Sequence, residues 1–315
     1  MASFVLRRLV EAVPVVLVVC VVVFLLLRLV PGDPAVVLAG PDATASQLEA
    51  IRRDLGLDLP IPIQFAIRLA RALAGDLGTS LVTGRPVGEL VARAFPATAQ
   101  LALAATLVAL ALGVPLGVLA ALRARTRSDT LVSIVSAVAL GVPNFLLGIG
   151  ALLLFALALG WLPPGGRVDP AEDLRAGLAS LVLPALTLGL APAAALARFV
   201  RAELLDVLRL DYVRTARGKG LRERHVVTRH ALRNALLPLA SVIGVQLARL
   251  VGGAIVVEQV FAWPGMGRLA LQAALTRDYP LFQGIVLVLV AGALLMSLLA
   301  DLSYGVLDPR IRSGR

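Results

Sequence analysis

The sequence predicts an all-α membrane protein with six transmembrane helices and both termini in the cytoplasm. Three observations carry that prediction. Hydrophobic residues make up 59% of the 315 residues and charged residues only 16%, with a mean hydropathy of +0.90. Soluble domains run nearer roughly 45–50% and 25%. Six apolar stretches reach the about 20 residues that a helix needs to cross hydrocarbon. They are Leu9–Val30, Ala97–Leu122, Leu131–Leu159, Leu178–Val200, Leu236–Val257 and Leu281–Leu302. Arginine placement then sets the orientation. With the N-terminus inside, the cytoplasmic segments hold eighteen of the 30 basic residues, and the outside segments hold ten against twelve acids, as the positive-inside bias requires.

The elements follow in order. Residues 1–30 are a short cytoplasmic end, with Arg7 and Arg8, and the first span. That span is too long for a signal-peptide core, and "LRLVPGDPA" offers no small-x-small cleavage site, so it is expected to stay in the membrane. Arg28, near its outer end, is expected to snorkel to the interface. Residues 31–96 are expected to fold as an extracytoplasmic cap. Ser46 and Glu49 form a capping box ahead of "LEAIRRDL", and Gly56 stops that helix. Pro62 opens a second amphipathic stretch that ends at Gly75.

Residues 97–315 are the five-helix core, interrupted by a basic cytoplasmic loop at 201–235. Pro14, Pro115, Pro143, Pro184 and Pro192 lie inside spans, where each removes a backbone hydrogen bond and predicts a kink. Neighbouring helices then have to satisfy the freed carbonyls. Trp161 and Trp263 are expected at the outer interface as belt residues. Glu258, Trp263 and the Pro264–Gly265 turn are read as the start of a segment dipping back toward a pore mouth.

Several chemistries are excluded. Cys20 is the only cysteine and lies in an apolar run, which leaves no disulfide framework and no thiolate metal site. No GxxxxGK[ST] phosphate loop is present. His225 and His230, the two histidines, are five apart and would point about 140° from each other on an α-helix. Neither belongs to an HExxH motif, so metal ligation is not expected, and no Ser/His/Asp set can form. The chain is not expected to be a catalyst by itself or to bind a cofactor.

The stretch Asp211–Leu239, "DYVRTARGKGLRERHVVTRHALRNALLPL", concentrates six arginines, the only lysine (Lys219) and both histidines. Nucleic-acid binding would want base-reading aromatic or polar side chains, and only Tyr212 is there, so nucleic acid is not expected as a partner. Two readings stay open on physical grounds. One is a solvated loop against anionic lipid headgroups. The other is a docking helix: Tyr212, Thr215 or Ala216, and Lys219 share a face, and Gly218 and Gly220 permit close approach or a sharp turn.

The loop resembles the EAA segment of ABC-importer permeases, in the form found in the dipeptide, oligopeptide and nickel transporter family. Arg214 stands where the general pattern has glutamate, Thr215 and Ala216 replace the two alanines, and Gly220 is the glycine. Leu237–Pro238 closes the motif. The resemblance extends along the chain through "RLVPGDPA", "GDLGTSLVTGRPV", "FPATAQLALAA", "GVPNFLLGI", "VVEQVFAWPGMGRL", "RDYPL" and "DLSYGVLDPRIR". It favours the first of the two paired inner-membrane permeases and implies the type I importer permease fold. It further implies a second homologous permease, two ATP-binding subunits that use ATP and magnesium, an extracytoplasmic solute-binding protein and surrounding lipid. Under that resemblance Tyr212, Arg214, Thr215, Ala216, Arg217, Gly220, Leu221 and Arg222 form the ATPase-coupling segment. Gly220 is its bend, and Arg214, Arg217 and Arg222 are its polar contacts.

The fifth span carries Gln246 and Arg249 three residues apart on one face, with Gly253 four residues on. An arginine at that depth faces protein or a water-filled cavity rather than lipid. Gln246, Arg249 and Gly253, together with Asn144 after Pro143, are the expected translocation-path residues; the alternatives are a structural pair of Arg249 with a carbonyl or with the partner permease, and an Asn144 that satisfies the backbone groups freed by Pro143. The competing class, a self-contained channel or secondary carrier, would want inverted repeats and intramembrane acidic relays; no repeat is visible and few acids lie deep.

Overall fold

The computed structural model describes residues 2–29, 34–39, 43–54, 56–236 and 238–307. The first helices are α1 (Ala2–Leu29), α2 (Pro34–Ala39), α3 (Ala45–Asp54), α4 (Ile61–Leu73) and α5 (Val87–Leu122). Next come α6 (Arg127–Gly141) and α7 (Asn144–Ala151), the latter extended by a π-helical turn at Leu152–Ala158, and then α8 (Leu174–Val207). The basic loop holds α9 (Asp211–Gly218), α10 (Glu223–His225), a π-helical turn at Val226–Ala231 and α11 (Leu232–Ala235). The chain continues through α12 (Leu239–Val260), α13 (Met266–Leu275) and α14 (Tyr279–Leu307).

Among the described residues, three helices are long and apolar enough to cross a membrane: Val87–Leu122, Leu174–Val207 and Tyr279–Leu298. A fourth crossing arises if α6 and the stretch Asn144–Ala158 count as one span, although they are bent by 102°. The continuous span expected over Leu131–Leu159 is thus corrected to a broken one. The cause is local. Pro143 has no N–H and disfavours helical geometry in the residue before it, and Val142 is extended at φ −87°, ψ 126°. Chain direction changes there, and the ladder restarts with Leu146 N–H donating to the Pro143 carbonyl. The other prolines do not interrupt their helices: α1 runs through Pro14, α5 through Pro115, and α8 through Pro184 and Pro192.

α5 begins at Val87, so the last residues of the segment expected as cap are helical. α8 runs to Val207, so the first residues of the segment expected as cytoplasmic loop continue that helix.

The chain divides into two compact units. One comprises Ala99–Trp263 and the segment from Leu295 onward. Within it α8 packs against α6, α7, α11 and α12, and 56% of its spanning window is buried, against 28% for α5. Small residues allow the tight α5–α8 contact. A Cβ on Gly113 or Gly117 would lie 2.6 Å from the carbonyl oxygens of Ala193 or Ala197, and one on Gly189 would lie 2.7 Å from that of Ala105. This is the small-xxx-small device by which membrane helices approach closely without a hydrophobic driving force. Leu196, Val200 and Leu239 fill the adjoining core.

The other unit comprises Ala2–Thr98 and Pro264–Leu294. Its core joins Val87, Val91, Met266, Ala270, Leu281 and Ile285. The helix at Ala45 is capped by Thr44 and Gln47: Thr44 N–H donates to Gln47 Oε1 at 2.9 Å, and Gln47 N–H donates to Thr44 Oγ1 at 3.4 Å. The expected box of Ser46 and Glu49 is therefore shifted by two residues. Either pair fits the Ser/Thr-x-x-Glu/Gln pattern, and the helix start decides between them. Gly56 does end that helix, at φ +64°, with Leu57 N–H reaching back to the Arg52 carbonyl. The buried Asp278, between α13 and α14, accepts from Ser80 Oγ and from Leu81 N–H at 3.1 Å in the loop before α5, and from Leu281 N–H at 3.3 Å. The expected "GTSLVTGR" and "RDYPL" segments thus meet through one carboxylate.

Candidate functional site

The basic loop is a folded hairpin and not a solvated tether. α9 turns its apolar residues inward: Val213 is fully buried and Ala216 nearly so, packed with Val226 against Val207 and Leu208. Ala216 is therefore not on the exposed face, and Thr215 takes that role. The helix is braced twice. Asn234 donates to the Tyr212 hydroxyl at 2.8 Å, and that hydroxyl donates to the His230 carbonyl at 3.3 Å. Arg217 makes a two-pronged pair with Glu223, Nε–Oε2 3.0 Å and Nη2–Oε1 2.6 Å. Hydrogen bonding to Arg217, ahead of the charge attraction, holds the Glu223 carboxyl below its ordinary range.

Arg217, expected as an outward contact, is exposed and at the same time ties α9 to Glu223. Arg214 differs: its pairing with Asp211 is a long 3.5 Å between exposed groups, 72% and 97% accessible, which in water contributes little. Arg214, Thr215, Lys219, Leu221 and Arg222 are exposed, so the loop presents a cationic face on a fixed base. Gly220 sits at φ +77° with open space where a Cβ would go. Its requirement is conformational, not steric: L-residues avoid that region, glycine does not.

The two histidines do not point apart. His225 immediately precedes the π-helical turn at Val226–Ala231 and His230 lies within it, where the i→i+5 register stacks residues five apart, and their rings lie 5.8 Å apart edge to face. An α-helical wheel could not have shown this.

The broken span gathers the second set. Asn144 opens α7, and its amide nitrogen lies 3.5 Å from where a Cβ of Gly253 would stand, with Leu188 at 3.2 Å. Gln246 is half-buried two turns earlier on the same helix. The side chain of Arg249 lies outside the described residues, as do those of Arg7, Arg8 and Arg28 and the whole of Leu237. Nearby, a Cβ on Gly148 would meet Thr187 at 3.1 Å and Phe261 at 3.3 Å, and the buried Thr187 hydroxyl makes no hydrogen bond among the described residues. Sequence reasoning passed over Thr187. A lone threonine in an apolar run gives no sign of whether it bonds its own helix. It also passed over the pairing of Asp129 with Arg201, 2.6 and 2.8 Å between α6 and α8.

Trp263, expected as an interface belt residue, is fully buried, with its N–H donating to the Glu258 carbonyl; Trp161 is 69% exposed. The turn at Pro264–Gly265 leads into α13.

Long apolar helices with exposed apolar faces, a helix broken inside an apolar span and a basic segment at one helix end define a helical, multi-span membrane protein. The comparisons name the group. The family described as "Binding-protein-dependent transport system inner membrane component" matches residues 113–313, and its N-terminal counterpart matches residues 1–102. The chain belongs to that family and is an inner-membrane permease subunit of a binding-protein-dependent importer. It is 42% identical over 312 residues to the glutathione transport system permease protein GsiC of Pectobacterium atrosepticum, covering 99% of both chains. It is 41% identical, at the same coverage, to a putative peptide transport system permease protein of Brucella abortus. A chain of the inward-facing MetNI methionine ABC transporter shares the fold, with TM-score 0.59 at 19% identity, covering 70% of this chain and 96% of that one.

Proposed function

We propose that this chain is half of the translocation path of an ATP-driven peptide importer, with a type I permease fold, six spans and both termini in the cytoplasm. A second homologous permease supplies the other half. Two ATP-binding subunits supply the energy, using ATP and magnesium that this chain does not bind. A solute-binding protein delivers cargo from outside, where residues 31–96 form a cap. The cargo is a di- or oligopeptide or a glutathione-like compound, as the names of the relatives suggest.

One observation carries the coupling part: α9 is anchored by the buried Val213 and Ala216, tied at its flanks by Tyr212 to Asn234 and by Arg217 to Glu223, and offers Arg214 and Thr215 outward, with Arg222 exposed just beyond its end. A rigid lever with a cationic face suits a cleft on an ATPase, whose closure would tilt α8 and α12 and alternate access to the path. Asn144, Gln246, Arg249 and Gly253 would line that path, with Arg249 favouring carboxylate-bearing cargo.

The test is reconstitution of the assembled transporter with labelled peptide. Arg214→Glu and Gly220→Val should lower ATP-driven uptake at least several-fold while hydrolysis continues. Unchanged uptake removes the coupling role. Solute conduction by the isolated subunit without ATP would instead establish a channel.

A further inference from the structure

A cavity of about 390 Å³ lies within the unit formed by Ala2–Thr98 and Pro264–Leu294. It falls within the roughly 300–1,000 Å³ of ligand sites. Three helices wall it. α1 contributes Val16, Val19, Cys20 and Val23, one stripe at i, i+3, i+4 and i+7. α14 contributes Gln283, Val286, Leu287 and Val290 at the same spacing. The third wall, α4, is amphipathic and brings Arg68 and Arg71 to the cavity, joined by Arg53 from α3.

The polarity runs one way along the cavity. At the arginine end, Arg68 donates to Gln283 at 2.9 Å, and the buried Gln64 donates to the Leu57 and Leu59 carbonyls at 3.2 and 2.7 Å. These bonds fix the rim. From Gln283 to Val290 the wall descends roughly 10 Å, most of one leaflet's half of the about 30 Å hydrocarbon core. Along that descent the α1 and α14 stripes are apolar apart from the Cys20 thiol.

We propose that this cavity holds an acyl chain of an anionic phospholipid, with its phosphate against Arg53 and Arg71. The charge at the rim is three arginines against Asp76, and both Arg53 and Arg71 are exposed there. A peptide fits poorly, because its N–H and C=O groups would go unpaired along the valine walls. Hydrocarbon requires no such partners. The lipid would act as a wedge between α1 and α14, filling space that the protein's own side chains leave open. The inference rests on the inner-membrane location and is independent of the cargo.

The test uses the assembled transporter in nanodiscs of phosphatidylcholine and phosphatidylglycerol, with native mass spectrometry counting lipids that survive mild release. The wild type should retain one phosphatidylglycerol with a preference of roughly tenfold or more over phosphatidylcholine, the order that two net positive charges near an anionic headgroup supply. Arg71→Glu should retain a lipid but bring that preference close to one. Cys20→Trp, or Val290→Trp from the opposite wall where the first does not assemble, should empty the site of both lipids. Identical occupancy and preference in wild type and variants overturn the proposal, as does a wild type that carries no lipid. Displacement of the retained species by a dipeptide would overturn it in favour of a cargo site.

Discussion

Replacing Gly113 or Gly117 with alanine tests the α5–α8 contact quantitatively. Each added Cβ would stand 2.6 Å from a backbone carbonyl oxygen and 2.8 Å from the Cβ of Leu196 or Val200. Favourable separations between nonbonded carbons are about 3.5–4.0 Å, so the two helices must part by on the order of 1 Å. Overpacking of this kind costs about 1–3 kcal/mol. Opposing it, alanine gains about 1 kcal/mol over glycine from helix propensity. Gly252, in α12, has nothing within 4 Å of a Cβ, so Gly252→Ala carries the propensity gain alone. Subtracting it leaves the clash, about 1–3 kcal/mol. The double variant should fall short of the sum, because once the helices have parted for one methyl the second meets less. Denaturant unfolding of the purified chain in mixed micelles, followed through the emission of the fully buried Trp263, measures all four. If Gly113→Ala and Gly117→Ala are as stable as Gly252→Ala, the close α5–α8 contact is wrong.

Further predictions concern polar links. Glu223 has its folded pKa lowered, so the stabilisation from its pair with Arg217 is present above the unfolded value of about 4.3 and is lost as pH falls through the folded value. Hydrogen exchange over 211–225, corrected for intrinsic rates, should rise with acid in the wild type and stay flat in Glu223→Gln. At neutral pH that variant should lose only about 1 kcal/mol or less, since the pair is half-exposed. Asp278→Ala removes a buried acceptor shared by Ser80 Oγ and the Leu81 and Leu281 N–H groups. It should cost about 3 kcal/mol or more and deprotect the amides of 78–84, whereas Ser80→Ala should cost less. Trp263→Ala should cost about 3–5 kcal/mol by cavity formation; a melting temperature unchanged from wild type would restore the lipid-facing position.

Particular residues show how far the sequence could be read. Gly56, Gly75 and Gly220 were legible as stops and bends because their conformations are set within a few residues, and all three have positive φ. Pro143 was legible as a perturbation, but not its size: a kink and a 102° break begin from the same missing N–H, and packing around Asn144, Gly148 and Gly253 selects between them. The exposed face of α9 was half-read. Periodicity placed Tyr212 and Thr215 outward, yet only the contact with Val207, Leu208 and Val226 shows that Ala216 points inward.

Composition and arginine placement by themselves determined that this chain belongs in a membrane and which segments are charged, because hydrocarbon solvates apolar helices and rejects ions whatever their tertiary contacts. The motif string likewise pointed to the permease family. What required the folded chain were pairings across long separations: Arg201 with Asp129, Ser80 with Asp278, and Gly113 against Ala193. A hydrogen bond or a 2.6 Å approach depends on where two distant segments come to rest, and neither segment alone holds that information.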